Sequence, residues 1–187
     1  MEKVGVLALQ GSFAEHLAIL RRMPGIEPLE VKTIAQLEAV DRLIIPGGES
    51  TAIGKLLRKT GMLPLLQKRI EEGLAVWGTC AGLILLAKRI VGEEPYLDAM
   101  DITVKRNAYG SQLDSFRCEQ IIPAISAKPI HLVFIRAPWI EAVGPEVEVL
   151  AERDGRIIAA KQGRLLATSF HPELTQDTSV SEYFLQM

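Results

Sequence analysis

Three stretches of this chain follow one pattern: a short, continuously apolar run, an abrupt glycine-containing turn, then a segment with helical spacing. Val4 to Leu9 runs into Gln10-Gly11, Leu43 to Ile45 into Pro46-Gly47-Gly48, and Leu74 to Trp77 into Gly78-Thr79-Cys80-Ala81-Gly82. A strand apolar at every position is covered on both faces. A sheet covered on both faces by its connecting helices is parallel. The pattern therefore predicts an α/β fold, a three-layer sandwich about a mainly parallel central sheet.

Capping signals place the helices. Ser12 with Glu15 is a capping-box pattern ahead of a helix from Phe13 to Arg22. A second strand, Leu29 to Lys32, precedes the pair Thr33 and Gln36 and a short helix. Further helices are expected from Thr51 to Lys59 with Gly61 as the stop, from Pro64 in a first turn to Gly73, and from the Cys80 turn to about Arg89. The second half is different: Ile102 to Lys105, Phe116 to Ile122, Leu132 to Ile135, Val147 to Ala151, Ile157 to Lys161 and Leu165 to Phe170 read as short strands. Asp154-Gly155 is a strong hairpin turn and Gln162-Gly163 a weaker one, so some of these late strands are antiparallel. A last helix follows Ser179, with Glu182 completing a further capping box. No repeat or linker divides the 187 residues, and residues 1–187 are read as a single domain.

Charge and composition exclude several classes of function. Lys plus Arg (21) and Asp plus Glu (23) nearly cancel, so no basic surplus exists to follow a phosphate backbone, and nucleic acid is not an expected partner. The apolar runs fall well short of the roughly 18 residues a membrane span needs. The first run is stopped by Gln10-Gly11 without a small-residue cleavage site, so it reads as a strand rather than a signal peptide. The two cysteines, Cys80 and Cys118, lie in unlike contexts and suggest neither a disulfide nor a zinc site; a reducing cytoplasm is expected.

Cys80 sits between a buried strand and a helix, flanked by small residues that permit a sharp turn. That is nucleophile-elbow geometry, and the helix N-terminus aimed at the sulfur favours a thiolate. A small buried cysteine behind a strand is the alternative. A nucleophilic cysteine needs a base, and there are three histidines to choose from. His16 falls on the first helix or near its start, and His131 begins a strand at an edge or surface position. His171 ends a strand, where α/β sheets gather active-site groups. Pro172 holds the following turn open, and Glu173 is placed to orient the imidazole, giving a Cys–His–acid arrangement; an ordinary strand-ending turn is the alternative. The glycine pair in Pro46-Gly47-Gly48-Glu49-Ser50-Thr51 can turn backbone N–H groups toward an oxyanion, or it is a tight turn with Ser50 or Thr51 capping a helix.

Together, Gly78-Thr79-Cys80-Ala81-Gly82 and His171-Pro172-Glu173 resemble the triad (class I) glutamine amidotransferases, whose fold is flavodoxin-like. The segments Leu9-Gln10-Gly11, Pro46 to Thr51, Arg106-Asn107, Gln112-Leu113-Asp114-Ser115-Phe116, Phe134 to Pro138, Ala159 to Gly163 and Ser169 to Leu174 narrow the resemblance to the glutaminase subunits of pyridoxal 5′-phosphate synthases. The resemblance implies hydrolysis of L-glutamine to glutamate and ammonia through a γ-glutamyl thioester on Cys80, with His171 as base and Glu173 orienting it. It implies an oxyanion hole from Gly48 and Ala81, and a glutamine site at Gly47, Gly48, Glu49, Ser50, Arg106, Ile135 and Arg136. The arginines could instead make surface ion pairs, Arg136 with Glu141. No metal or other cofactor is implied. The implied partner is a (β/α)8 synthase subunit in a hetero-oligomer, which receives the ammonia and without which the glutaminase is weak. The chain departs from the resemblance at its C-terminus, where relatives often carry a longer final helix than one ending at Met187. A stand-alone cysteine amidohydrolase acting on γ-glutamyl substrates and a non-catalytic metabolite-binding module are the competing readings.

Overall fold

The apolar runs pair side by side as parallel strands β1 (Glu2–Leu7), β2 (Ile26–Val31), β3 (Arg42–Ile45) and β4 (Ala75–Thr79), in the order β2-β1-β3-β4. The coordinates are a computed structural model that describes residues 1–106 and 115–187, so Asn107 and Gln112-Leu113-Asp114 lie outside the described residues. Between the strands run α1 (Phe13–Leu20), α2 (Ile34–Glu38), α3 (Ser50–Lys59) and α4 (Met62–Glu71), and α5 (Ala81–Leu86) follows β4. The remaining strands of the sheet are β5 (Ala87–Ile90), β6 (Met100–Lys105), β9 (Trp139–Val143), β10 (Glu148–Arg153), β11 (Arg156–Gln162) and β12 (Leu165–Thr168). β12 lies parallel to β4, and the sheet continues β11-β9-β6-β5 with β10 on β11. The late pairings of β11 with β12, β10 and β9, and of β6 with β9, are antiparallel.

Successive residues of β3 explain the continuous apolar run. Leu43 and Ile45 pack with α2, α3, α4 and α5 on one face, through Leu37, Ile53, Leu57, Leu66 and Leu83. Ile44 packs on the other face, with Leu17 and Leu20 of α1 and with Trp77. The second face is completed by the antiparallel hairpin β7 (Phe116–Ile122) and β8 (Ser126–Phe134) and by α6 (Ser179–Leu185). Three layers and a mainly parallel sheet with late antiparallel strands are therefore present, as expected. None of the helices among the described residues is long and apolar enough to cross a membrane.

α6 is tied to the sheet by the guanidinium of Arg42 at the start of β3. Its Nη1 donates to the carbonyls of Phe184 (3.0 Å) and Met187 (3.1 Å), its Nε pairs with Glu2 at 2.6 Å, and it stands over the Phe184 ring. The short C-terminus is thus anchored.

Several local expectations are corrected. The helix after Cys80 ends at Leu86, not near Arg89, because the carbonyls of Leu85 and Leu86 accept from Leu97 and Ala99, and Ala87–Ile90 pairs with β6 as an edge strand. β9 has no counterpart in the sequence reading; only Ile140 in it is fully buried, so its pattern is faint. β12 stops at Thr168, since the Ser169 and His171 N–H groups go to Ile158 and Val133. Thr33 and Gln36 do form a capping box, but Ser12 and Ser179 do not cap. The Ser12 hydroxyl is drawn to Glu173, and Thr178 is the N-cap of α6, its hydroxyl bonded to Glu182 at 2.6 Å.

Candidate active site

Cys80 follows β4 and caps α5 with φ 49° and ψ −102°, a left-handed conformation that a residue with a Cβ adopts only under constraint. The constraint is visible. The Cys80 N–H donates to Thr168 on β12 at 2.8 Å, and two glycines let the turn close. A Cβ on Gly78 would strike the Gly82 backbone, and one on Gly82 would strike the Ile45 carbonyl. Gly82→Ala should therefore lower stability by about 2 kcal/mol or more, because backbone has to yield, read as a drop in the urea midpoint at unchanged slope.

His171 sits three residues past the end of β12 and immediately before the short 3-10 turn Pro172–Leu174, its N–H fixed to the Val133 carbonyl at 2.8 Å. Its Nδ1 lies 2.7 Å from Glu173 Oε1, and its ring lines one cleft with the Cys80 side chain. Burial alone would lower the imidazole pKa, but the interactions with Cys80 and Glu173 outweigh it and hold it at about 10. Burial likewise pushes the Glu173 carboxyl upward, and the facing His16, His171 and Ser12 more than reverse this, to about 2. A sulfur, imidazole and carboxylate in sequence is the arrangement of a nucleophile, its general base and the base's orienter.

The loop after β3 closes against them. The Gly47 carbonyl accepts from the Ser12 N–H at 2.9 Å, and the Gln10 amide oxygen accepts from the Glu49 N–H at 2.8 Å. A Cβ on Gly47 would strike His171 Cε1, and one on Gly48 would stand 2.5 Å from Gln10 Oε1. Glycine is demanded here by close approach. Ala81 is the first residue of α5, so its N–H has no carbonyl one turn back and stays available to a ligand. The N-cap of α3 is Glu49, not Ser50 or Thr51; its carboxylate accepts from Ala52 at 2.9 Å and Thr51 at 3.4 Å.

Two clefts meet at Cys80. One is lined by Gly48, Glu49, Ser50, Ala81, Arg106, Ile135 and Arg136 among others, the second by Gln10, Ser12, Gly47, Ile135, Arg136 and His171. Every residue expected at the site is thus brought together. The buried Ser50 hydroxyl has no hydrogen-bond partner among the described residues, which leaves it free for a ligand. Arg106 both lines the cleft and forms ion pairs, with Glu49 at 2.7 Å and Glu93 at 2.8 Å. Arg136 does not pair with Glu141, which faces Lys105 instead. Arg136 has φ 44°, a second strained position beside the nucleophile, and the Ile135 carbonyl lies 4.0 Å from the sulfur. A larger cavity, about 570 Å³, opens at the other end of the strands beside Leu74 and Leu165. It mixes Glu71, Lys88, Asp98, Glu146 and Arg164 without a cysteine or histidine.

His131 is on the surface, paired with Glu119 at 2.7 Å. Burial pushes the Cys118 thiol pKa up, away from nucleophilic character. His16 lies near the start of α1 as expected, but it faces inward: it is 1% exposed, with Nε2 3.3 Å from Thr79 Oγ1 and 3.5 Å from Glu173 Oε2. Gln10, Ser12 and His16, all at the entry of α1, are the residues at the site whose roles sequence reasoning missed. A signal existed for one of them: His16 lies four residues before the buried Leu20, on the inward stripe of α1.

Comparison with known proteins agrees with this geometry over nearly the whole chain. The pyridoxal 5′-phosphate synthase subunit PdxT of Caldanaerobacter subterraneus subsp. tengcongensis is 55% identical over 186 residues, spanning 99% of this chain and 98% of its own. The protein of that name from Chloroflexus aurantiacus is 55% identical over 189 residues, with 98% and 99% covered. A crystal structure of a glutamine amidotransferase matches with a TM-score of 0.91 at 49% identity, over 98% of this chain and 97% of that one. Thermotoga maritima PurLQS, at a TM-score of 0.67 and 15% identity over 99% and 97%, shares the fold alone. The family model for SNO glutamine amidotransferases matches residues 6–187, and this chain belongs to that family.

Proposed function

We propose that this chain is a glutaminase: it releases ammonia from L-glutamine through Cys80, His171 and Glu173 and supplies it to a pyridoxal 5′-phosphate synthase subunit. The observation that carries this reading is the imidazole held between the Cys80 side chain and the Glu173 carboxylate. His171, held at about 10, already carries the proton given up by the Cys80 thiol when the sulfur attacks the side-chain carboxamide carbon. The backbone N–H groups of Gly48 and Ala81 receive the oxyanion. Collapse breaks the C–N bond as His171 protonates the departing ammonia, leaving a γ-glutamyl thioester. Water attacks that thioester with His171 as base, and glutamate leaves as the thiol is restored. No metal or cofactor enters these steps.

Seven residues lining the clefts have a part in binding glutamine. Arg106 and Arg136 offer cations for its α-carboxylate, and Glu49 offers an anion for its α-ammonium. The Ser50 hydroxyl and the Ile135 carbonyl add polar contacts, and Gly47 and Gly48 leave room for the amide.

Free ammonia in water at neutral pH is mostly ammonium and no nucleophile, so a glutaminase serving a biosynthetic enzyme gains from a protected route. The relatives' names call them pyridoxal 5′-phosphate synthase subunits, which supports a second subunit as the partner; in this reading that partner is of (β/α)8 type, the two form a hetero-oligomer, and the setting is the cytoplasm. The test is ammonia release from glutamine with and without the synthase subunit: addition should raise the rate about a hundredfold or more, the scale of one well-placed oxyanion donor. Equal rates would remove the activation claim. Turnover of γ-glutamyl peptides as fast as glutamine would favour a stand-alone amidohydrolase.

A further inference from the structure

A second imidazole stands behind the carboxylate of the triad, and none of the steps above employs it. His16 Nε2 faces Glu173 Oε2 at 3.5 Å and Thr79 Oγ1 at 3.3 Å. The two oxygens of Glu173 are unequally served. Oε1 is 2.7 Å from His171 Nδ1 and accepts from the Ser12 hydroxyl at 2.7 Å. Oε2 is buried and has no hydrogen-bond partner among the described residues. An ionised carboxylate oxygen in a dry site needs a donor. His16 Nε2, hydrogen-bonded to Thr79 Oγ1 and 3.5 Å from Oε2, is held where its one N–H can be shared with that oxygen. Its ring packs edge-on against Trp77, with centroids 5.4 Å apart, and Trp77 is itself fixed by an Nε1–H bond to Thr168 Oγ1 at 3.0 Å. Thr79 adjoins the nucleophile in sequence, so the contact ties α1 to the strand that carries Cys80.

We propose that His16 is a positioning residue for glutamine hydrolysis: in its neutral Nε2–H form it donates toward Glu173 Oε2 and fixes the carboxylate that orients His171. Burial pushes the His16 pKa below its usual value, in keeping with a neutral ring. Ser12 and His16 then hold the two oxygens of one carboxylate from successive turns of α1. The inference rests on the glutaminase reading for its kinetic consequence, but the ring's tautomer does not depend on that reading.

The experiment has two arms. In ¹⁵N-histidine-labelled parent protein, with the ring systems assigned through His131→Gln and His171→Gln, His16 should be neutral with its proton on Nε2 near pH 7. A proton on Nδ1 alone overturns the proposal, whatever the variants do. In the second arm, His16→Phe keeps an aromatic ring against Trp77 without the donor, and His16→Gln keeps an N–H near Nε2. Assayed with the synthase subunit present, His16→Phe should lose kcat by roughly 10-fold, the scale of one charge-assisted bond, with KM within about twofold. His16→Gln should recover most of that loss. If folded His16→Phe turns over like the parent, or if both variants lose kcat equally, His16 does not act through a donated proton. A parent protein that shows the Nε2–H tautomer but never hydrolyses glutamine would instead sink the glutaminase reading.

Discussion

Cys80→Ala should reduce ammonia release from glutamine by at least roughly 10⁴-fold, while the protein stays folded. The loss is large because no second cysteine stands at the site to form the thioester. Cys118 is on the β7–β8 hairpin, with its pKa pushed up by burial. The remaining members cannot compensate, since a base and an oxyanion hole without a nucleophile act only on water. The fold should survive because the left-handed strain at φ 49° belongs to any residue with a Cβ. Alanine inherits the strain that cysteine bears, and the bond from the backbone N–H to Thr168 does not involve the side chain. Cys80→Gly, by contrast, should melt higher than Cys80→Ala because only glycine relieves that strain. An ammonia assay beside thermal melts of all three proteins decides both points; Cys80→Ala turning over at the parent's rate would remove the nucleophile assignment.

Glu173→Gln should lower kcat by about 10²- to 10⁴-fold, although it changes one atom. The carboxylate requires His171 to present Nδ1–H, which leaves Nε2 to hold the thiol proton and hand it to the departing ammonia. A glutamine amide in its place can offer an N–H to Nδ1 and hold the ring in the opposite tautomer. The same substitution should flatten an acid transition. The Glu173 carboxyl is held at about 2 in the folded protein against 4.5 ordinarily. The unfolded chain therefore binds the proton more readily, and the stabilisation is complete above pH 4.5 and drains away as pH falls toward 2. Its scale is on the order of 3 kcal/mol, from the usual conversion of a pKa shift into free energy. Urea midpoints measured across that window should fall steeply for the parent and less for Glu173→Gln. Parallel curves would mean that the carboxylate is not held as described.

Most of the architecture could be read from the chain because its cause is local. The strands that enter the parallel sheet are apolar at consecutive positions, since both faces are covered, and Leu43, Ile44 and Ile45 carry that signal unaided. The Asp154-Gly155 turn was equally plain, both residues having positive φ as the tight hairpin requires. What could not be read depends on partners far away in sequence. Ala87–Ile90 continues a helical pattern and becomes a strand only because β6 lies beside it. The same holds within the site. Cys80, His171 and Glu173 were legible because each stands at a strand end in a distinctive context. Ser12 looked like a helix cap because the competing acceptor, Glu173, is 161 residues away. His16 looked like a face residue because nothing nearby in sequence says that Thr79 and Glu173 will surround it.

The clamp on Arg42 has a mechanical consequence. A helix as short as Ser179–Leu185 has little intrinsic stability in water, so α6 persists because one planar guanidinium grips its last carbonyls while also holding the acidic side chain at the chain's other end. The two termini are thereby braced against each other at the rim of the sheet farthest from the sulfur. Because Phe184 of α6 lies 5.7 Å from Trp77, and Trp77 packs on His16 behind Glu173, loosening that brace is felt at the support of the carboxylate through a short chain of side chains.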